Sequence, residues 1–317
     1  MTPLGSALPL GSSAGRTGTS ELLRRLEVVI TRRLDGVLQG DYRGVLPGPG
    51  SEAGEARVYQ PGDDVRLIDW NVTARTGAAH VRMPIADREL STWAVVDLSA
   101  SLDFGTASCE KRDLAVAAVA AFGHLTARGG NRFGVVLVQS ASTVSMPARS
   151  GRHHLLATLH RVAAAPREDG GGPTDLGAAL RLCARVARRR GLVVVVSDFV
   201  GLPGWERPLR SLAARHDVVA VEVLDPRELE LPDVGMLALV DPETGQRLEV
   251  QTANPKLRAR YAEAAAGQRE EHRRALRAAG ADHLVLRTDR DWLGDLVGFV
   301  DRRRRRHAAA AIPGPRA

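Results

Sequence analysis

Hydrophobic and polar positions follow two different rhythms along this chain, and the change falls near Glu89. Before it, Leu22, Leu23, Leu26, Val29, Ile30, Leu34 and Leu38 recur at helical spacing from Ser20, which predicts an amphipathic helix ending near Gly40. Short strand-like runs follow at Ala56–Tyr59, Val65–Trp70 and His80–Pro84, separated by the turn signals "PGDD" and "RTG". They predict a small β-rich lobe, too short to form a core by itself.

Beyond Glu89, nearly continuous apolar runs take turns with amphipathic stretches. Strands are expected at Trp93–Asp97, Phe133–Val138, Leu192–Ser197, Val218–Val223 and His283–Leu286. Runs of this kind suit a parallel sheet with both faces covered by helices. Helices are expected at Lys111–Ala127, His153–Ala164, Asp175–Arg190, Trp205–Arg215 and Pro255–Ala279. The last is framed by Asn254 as cap, Pro255 at its first position and Gly280 as its stop. The alternation predicts an α/β fold with a doubly wound, mostly parallel sheet. "MLALVDPETGQRLEVQT", residues 236–252, interrupts it as an inserted hairpin. The expected organisation is therefore a disordered segment 1–19, a helix and β-rich lobe 20–88, an α/β domain 89–303 and a basic, flexible tail 304–317.

Composition narrows the function classes. With 317 residues, 44% of them hydrophobic, the chain can bury a full core. Cys109 and Cys183 cannot build a disulfide framework, and their apolar helical surroundings make them reduced core cysteines. The N-terminus lacks the basic and apolar regions of a signal peptide, and no window approaches the roughly 20 apolar residues of a membrane span. A cytoplasmic protein is expected. The formal net charge of +7 owes much to "DRRRRRH", Asp301 to His307. Such a run can bind nucleic acid or an acidic partner. Aromatics for base stacking make up only 4% of the chain, so it reads as a solvated helix end.

Chemistry-bearing residues gather where strands stop. Asp97, Ser99 and Ser101 leave the first strand of the α/β domain. Thr174 and Asp175 follow a Gly-rich loop and precede a helix, and an N-cap is the structural alternative for Thr174. Asp198 ends the most apolar strand, "VVVVSDF". In doubly wound sheets, ligands bind at the carboxyl ends of the strands. The all-oxygen, hydroxyl-rich set suits a hard cation such as Mg²⁺ or Mn²⁺. An ion so poorly neutralised retains affinity for a carboxylate from a partner, which is docking chemistry. The enzymatic alternative is a metal-assisted phosphohydrolase using Asp97. GxxxxGK[ST] is absent, and no GxSxG nucleophile elbow stands between a strand and a helix, since "GSSAG" at residues 11–15 lies in the Gly/Ser-rich N-terminal segment. The three convergent segments contain no His or Glu to act as base.

"DLSAS", "PTDLGAAL" and "SDF" resemble the metal-ion-dependent adhesion site of von Willebrand factor type A domains. That resemblance implies ion ligation by Asp97, Ser99, Ser101, Thr174 and Asp198, with Phe199 where many such domains have Gly. "VYQPGDDVRLIDWNVTARTGAAHVRM", residues 58–83, resembles the signature of domain-of-unknown-function family 58, as does "RHDVVAVEVLDPRELELPDVG". Together these cover roughly Leu34 to Arg303. Members are often encoded beside MoxR-type AAA+ ATPases. The resemblance therefore implies a non-enzymatic, metal-dependent adaptor whose partner is such an ATPase or its client. Asp63, Asp64 and Arg66 of the signature, with Asp175, are candidate partner contacts. Asp69 and Trp70 read instead as structural, with the Trp packed.

Overall fold

The structure, a computed structural model, describes residues 16–37, 56–60, 63–65, 68–82, 90–126, 130–139, 142–167, 172, 174–241 and 245–310. Helix α1 (Arg16–Val37) begins at Arg16 rather than Ser20, inside the segment expected to be disordered. "RTGTS" carries no apolar face, so periodicity cannot reveal it. Once the later turns are docked, adding a turn costs little.

In the lobe, β1 (Ala56–Val58), α2 (Trp70–Thr76) and β2 (His80–Arg82) follow in order, with β1 antiparallel to β2. Where a strand was expected at Val65–Trp70, no strand is found among the described residues: Ile68 makes a single bridge to Val81, and Trp70 opens α2. Capping decides this. Asp69 accepts the N–H groups of Asn71 at 3.0 Å and Val72 at 3.2 Å, and Gly77 ends the helix at φ 72°. Asp69 is thus structural and buried. Trp70 is 71% exposed, against the expectation of packing, because α2 buries none of its residues.

The α/β domain runs β3 (Ser91–Asp97), α3 (Lys111–Thr126), β4 (Arg132–Val138), β5 (Thr143–Arg149), α4 (Arg152–Ala163), α5 (Leu176–Val186), β6 (Leu192–Ser197), α6 (Glu206–Ala213) and β7 (Asp217–Leu224). The hairpin β8 (Met236–Val240) and β9 (Arg247–Gln251) follows, then α7 (Pro255–Ala278), β10 (Asp282–Arg287) and α8 (Trp292–Ala310). Six strands form one sheet in the order β10-β7-β6-β3-β4-β5, parallel except for β5, which runs antiparallel to β4. The unanticipated β5, "TVSMPAR", is mostly exposed, and an edge strand tolerates Pro147.

Alternate residues of each central strand serve opposite layers. Ala94, Val96, Val194 and Val196 pack with α1, α3, α4 and α8, whereas Trp93, Val95, Val193 and Val195 pack with α5, α6 and α7. Leu23, Leu26 and Ile30 place α1 on the α/β core rather than in the β-rich lobe. Helix α5 stops at Val186, short of the expected Arg190. Helix α8 instead passes residue 303 and continues to Ala310, where a flexible tail was expected. Its anchor is Arg303, 4% exposed and paired with Asp217 and Asp282. Both cysteines are free; Cys183 is buried in α5, while Cys109 is half-buried in a turn before α3, and burial pushes each thiol up to about 12. Among the described residues, no helix is long and apolar enough to cross a membrane.

Chain progression reverses direction at β3: β4 and β5 lie to one side, β6 and β7 to the other. The reversal opens between the carboxyl ends of β3 and β6, where Asp97 and Asp198 sit.

Candidate functional site

Asp97 closes β3 and is 1% exposed. Its Oδ1 accepts the Ser99 backbone N–H at 3.0 Å, and its Oδ2 accepts the Ser197 hydroxyl at 2.7 Å. Ser197 closes β6, and its Oγ also accepts the Phe199 N–H at 2.9 Å, so one hydroxyl ties the two strand ends together. Ser99 begins the 3-10 turn Ala100–Leu102, and its Oγ lies 3.0 Å from that of Ser101. Both serines are buried.

Asp198 is 2% exposed. Its Oδ1 accepts the Val200 N–H at 3.0 Å, and its Oδ2 accepts Lys111 Nζ at 2.8 Å. Lys111, the first residue of α3, is fully buried and also donates to Glu228. Burial opposes its charge, but Asp198 and Glu228 outweigh burial and hold the ammonium protonated. Burial, reinforced by the charge of Asp198, pushes the Asp97 carboxyl up to about 6. Two carboxylates, Asp198 and Glu228, thus bind one ammonium while Asp97 lies in the field of Asp198, so a further cation is the charge this cluster lacks.

Thr174 is 2% exposed, and its buried Oγ1 meets no hydrogen-bond partner. It does not cap α5. That role belongs to Asp175, whose side chain accepts the Ala178 N–H at 2.7 Å and pairs with Arg181 at 3.3 Å. Helix α5 packs on β3 and β4 and delivers the chain to the start of β6, so its first turn lies at the carboxyl edge with Asp97 and Asp198. An orphaned threonine hydroxyl, a serine hydroxyl pair and excess negative charge fit a hard cation. Ser99, Ser101 and Thr174 are the oxygens suited to hold it.

Several working residues escaped the sequence reading. Asp103, just beyond the serine pair, binds Arg112, whose guanidinium also donates to the carbonyls of Leu98 at 3.1 Å and Ala165 at 3.2 Å. Arg112 thereby staples the serine-bearing loop to the end of α4. Basic side chains in the first turn of a helix oppose its dipole. Lys111 and Arg112 standing there were the available signal that each has a carboxylate partner. Asp225, at the end of β7, accepts Thr106 N–H at 2.8 Å and the Thr288 hydroxyl at 2.8 Å. Burial opposes its ionisation, yet these bonds hold the carboxyl below its usual range.

Phe199 adopts φ 59°, the left-handed region that favours glycine. It is buried, and its ring centroid lies 5.1 Å from that of Trp205. Of the candidate partner contacts, Asp63 accepts the Gln60 N–H at 2.9 Å, Asp64 is exposed, and Arg66 lies outside the described residues.

The geometry defines a doubly wound α/β protein with an acid-and-hydroxyl cluster at its switch point. The chain belongs to the family described as protein of unknown function DUF58, whose model matches residues 55–271. It is similar to uncharacterized proteins of Mycobacterium tuberculosis and Mycobacterium bovis, each 56% identical over 283 residues, 89% of this chain and 89% of the relative. Among solved structures it is similar to the conserved hypothetical protein BatB from Bacteroides thetaiotaomicron, at 12% identity and TM-score 0.45 over 68% of this chain and 99% of that one. It is also similar to a von Willebrand factor type A protein from Catenulispora acidiphila, at 13% identity and TM-score 0.37 over 72% of this chain and 43% of that one.

Proposed function

We propose that this chain is a non-enzymatic, metal-dependent protein-interaction module of the cytoplasm. Ser99, Ser101 and Thr174 hold Mg²⁺ or Mn²⁺, and the ion accepts one carboxylate from a partner. The buried, unpartnered Oγ1 of Thr174 carries this reading, because leaving such a hydroxyl unsatisfied costs about 1–3 kcal/mol. Asp97 and Asp198 supply negative charge around the ion, while Ser197 and Lys111 fix their orientation. The ion contributes a coordination position for an external oxygen. Following the family resemblance, the partner is a MoxR-type AAA+ ATPase or its client.

A nucleophilic role for Asp97 is less well supported. Both of its oxygens already accept hydrogen bonds, and it is 1% exposed, which leaves no open face for attack on a substrate. The Arg-rich run of α8 is likewise a weaker candidate for nucleic acid, since Arg303, Arg305 and Arg306 are each paired with carboxylates.

The immobilised chain, incubated with cell lysate in Mg²⁺ or in EDTA, tests the proposal. Capture of an AAA+ ATPase is expected in Mg²⁺ only, and is lost when Ser99→Ala and Ser101→Ala are combined. Equal capture in Mg²⁺ and EDTA sinks the metal-dependent reading.

A further inference from the structure

At the opposite, amino-terminal edge of the sheet lies a cavity of about 430 Å³. Arg132, Arg185, Arg188 and Arg189 line it, together with Ser91 and Ser145, and no acidic residue does. Among the described residues, no carboxylate pairs with Arg185, Arg188 or Arg189. Elsewhere arginines are commonly neutralised: Arg33 by Asp291, Arg152 by Glu27, Arg167 by Glu110 and Arg303 by Asp282. Concentrating cations without acids raises the energy of the free protein unless an anion is meant to join them.

The local fold holds these arginines in place. Arg185 occupies the last turn of α5, where the helix dipole welcomes a cation. That accounts for one of the four. Arg188 and Arg189 follow the helix end, which is closed by the Ala187 N–H donating to Cys183 O at 2.8 Å. The link to β6 is pinned at Gly191, where an added Cβ would lie 1.9 Å from the Ser91 carbonyl oxygen, so no larger residue fits. The Asp217 N–H also donates to Gly191 O at 3.0 Å.

We infer that this cavity binds a small molecule through a di- or triphosphate group. Planar guanidinium forks match phosphate oxygens, and serine hydroxyls add donors. The guanidinium charges of Arg185, Arg188 and Arg189 offset most of the roughly three to four negative charges of such a group. The concave shape favours a small ligand over a polynucleotide, and Trp93 is only 6% exposed, so it offers no open face for stacking successive bases. The inference does not depend on the ion site at the carboxyl edge.

Calorimetric titration of the full chain in EDTA, at constant ionic strength, separates the possibilities. Pyrophosphate and ADP are expected to bind at one site, AMP at least tenfold more weakly. Arg185→Gln combined with Arg189→Gln is expected to weaken pyrophosphate at least tenfold with the circular dichroism spectrum unchanged, whereas Ser99→Ala with Ser101→Ala leaves the affinity as it was. Pyrophosphate binding in both wild type and the serine variant identifies a free polyphosphate source; tighter ADP binding identifies a nucleotide. No heat above a chloride control, equal affinity for AMP and ADP, undiminished binding in the arginine variant, or tighter binding of an oligonucleotide or oligoglutamate each overturns the inference.

Discussion

The two ends of the central sheet handle charge in opposite ways. At the carboxyl end, Asp97, Asp198 and Lys111 are at most 2% exposed, and each is held by neighbours on other elements. At the amino end, Arg185, Arg188 and Arg189 are exposed and stand without carboxylates among the described residues. The first arrangement is internally braced yet short of positive charge. The second is unbraced and short of negative charge. One sheet thus carries two opposite demands for an ion, and only the carboxyl end is the edge at which a reversal of strand order opens a ligand crevice in doubly wound sheets. The Arg-rich segment of α8 sharpens the contrast, because Arg303, Arg305 and Arg306 are all paired with acids there. Arginine density alone therefore does not mark a binding surface; unneutralised arginine density does.

The largest effect is expected from removing the ammonium at the braced end. Lys111→Met leaves Asp198 and Glu228 partly or wholly buried without their cation, and breaking one side of a buried pair typically costs about 3–5 kcal/mol. Urea unfolding in EDTA should show a loss of this size, and Mg²⁺ should recover part of it if the ion site is present. A loss below about 1 kcal/mol would show that the pair does not brace the cluster.

Next in size is a pH effect at Asp97. The unfolded carboxyl titrates near its ordinary 3.8, whereas burial and the charge of Asp198 push the folded one up to about 6. Between those values the folded chain keeps a proton that the unfolded chain has released. The contribution of Asp97 to stability is therefore full below about pH 4 and is lost as pH rises through about 6. At 1.36 kcal/mol per pKa unit, the upper limit is about 3 kcal/mol. Asp113, which burial also pushes up to about 6, titrates in the same window. Asp97→Asn isolates the contribution, since it should flatten only the Asp97 share of the slope measured in EDTA. An unchanged slope would place the proton elsewhere.

What the sequence disclosed follows from the range over which its signals act. Strand β6 lies at the expected Leu192–Ser197, because a both-faces-buried run bounded by Gly and Asp is a local pattern. Asp97, Ser99, Ser101 and Asp198 were legible for the same reason: polar residues interrupt apolar strands abruptly. The N-cap alternative for Thr174 missed by one residue, because Thr and Asp both cap helices and adjacent candidates compete. Lys111 was hidden because its partners Asp198 and Glu228 lie 87 and 117 positions away. Spacing rules do not reach that far, although a buried-side basic residue opposing a helix dipole hints at a distant acid. Strand β5 was missed because exposed alternation with Pro147 is weak, and it is hydrogen-bonded on one side only.

The smallest effect tests the unbraced end, and its sign matters more than its size. Arg188 and Arg189 are exposed neighbours on one short link, so solvent screens most of their repulsion from each other and from Arg185. Replacing Arg188 and Arg189 together with Gln should raise stability at low salt by only a few tenths of a kcal/mol, as relief of other exposed like-charge pairs does. In 1 M NaCl the Debye length shrinks to about 3 Å, and the difference should vanish. The same substitutions should weaken pyrophosphate binding. Stability and binding then move in opposite directions, which a purely structural role for the arginines cannot produce. A urea midpoint that falls instead would mean that Arg188 or Arg189 is held by internal partners, and the contrast between the two ends would be lost.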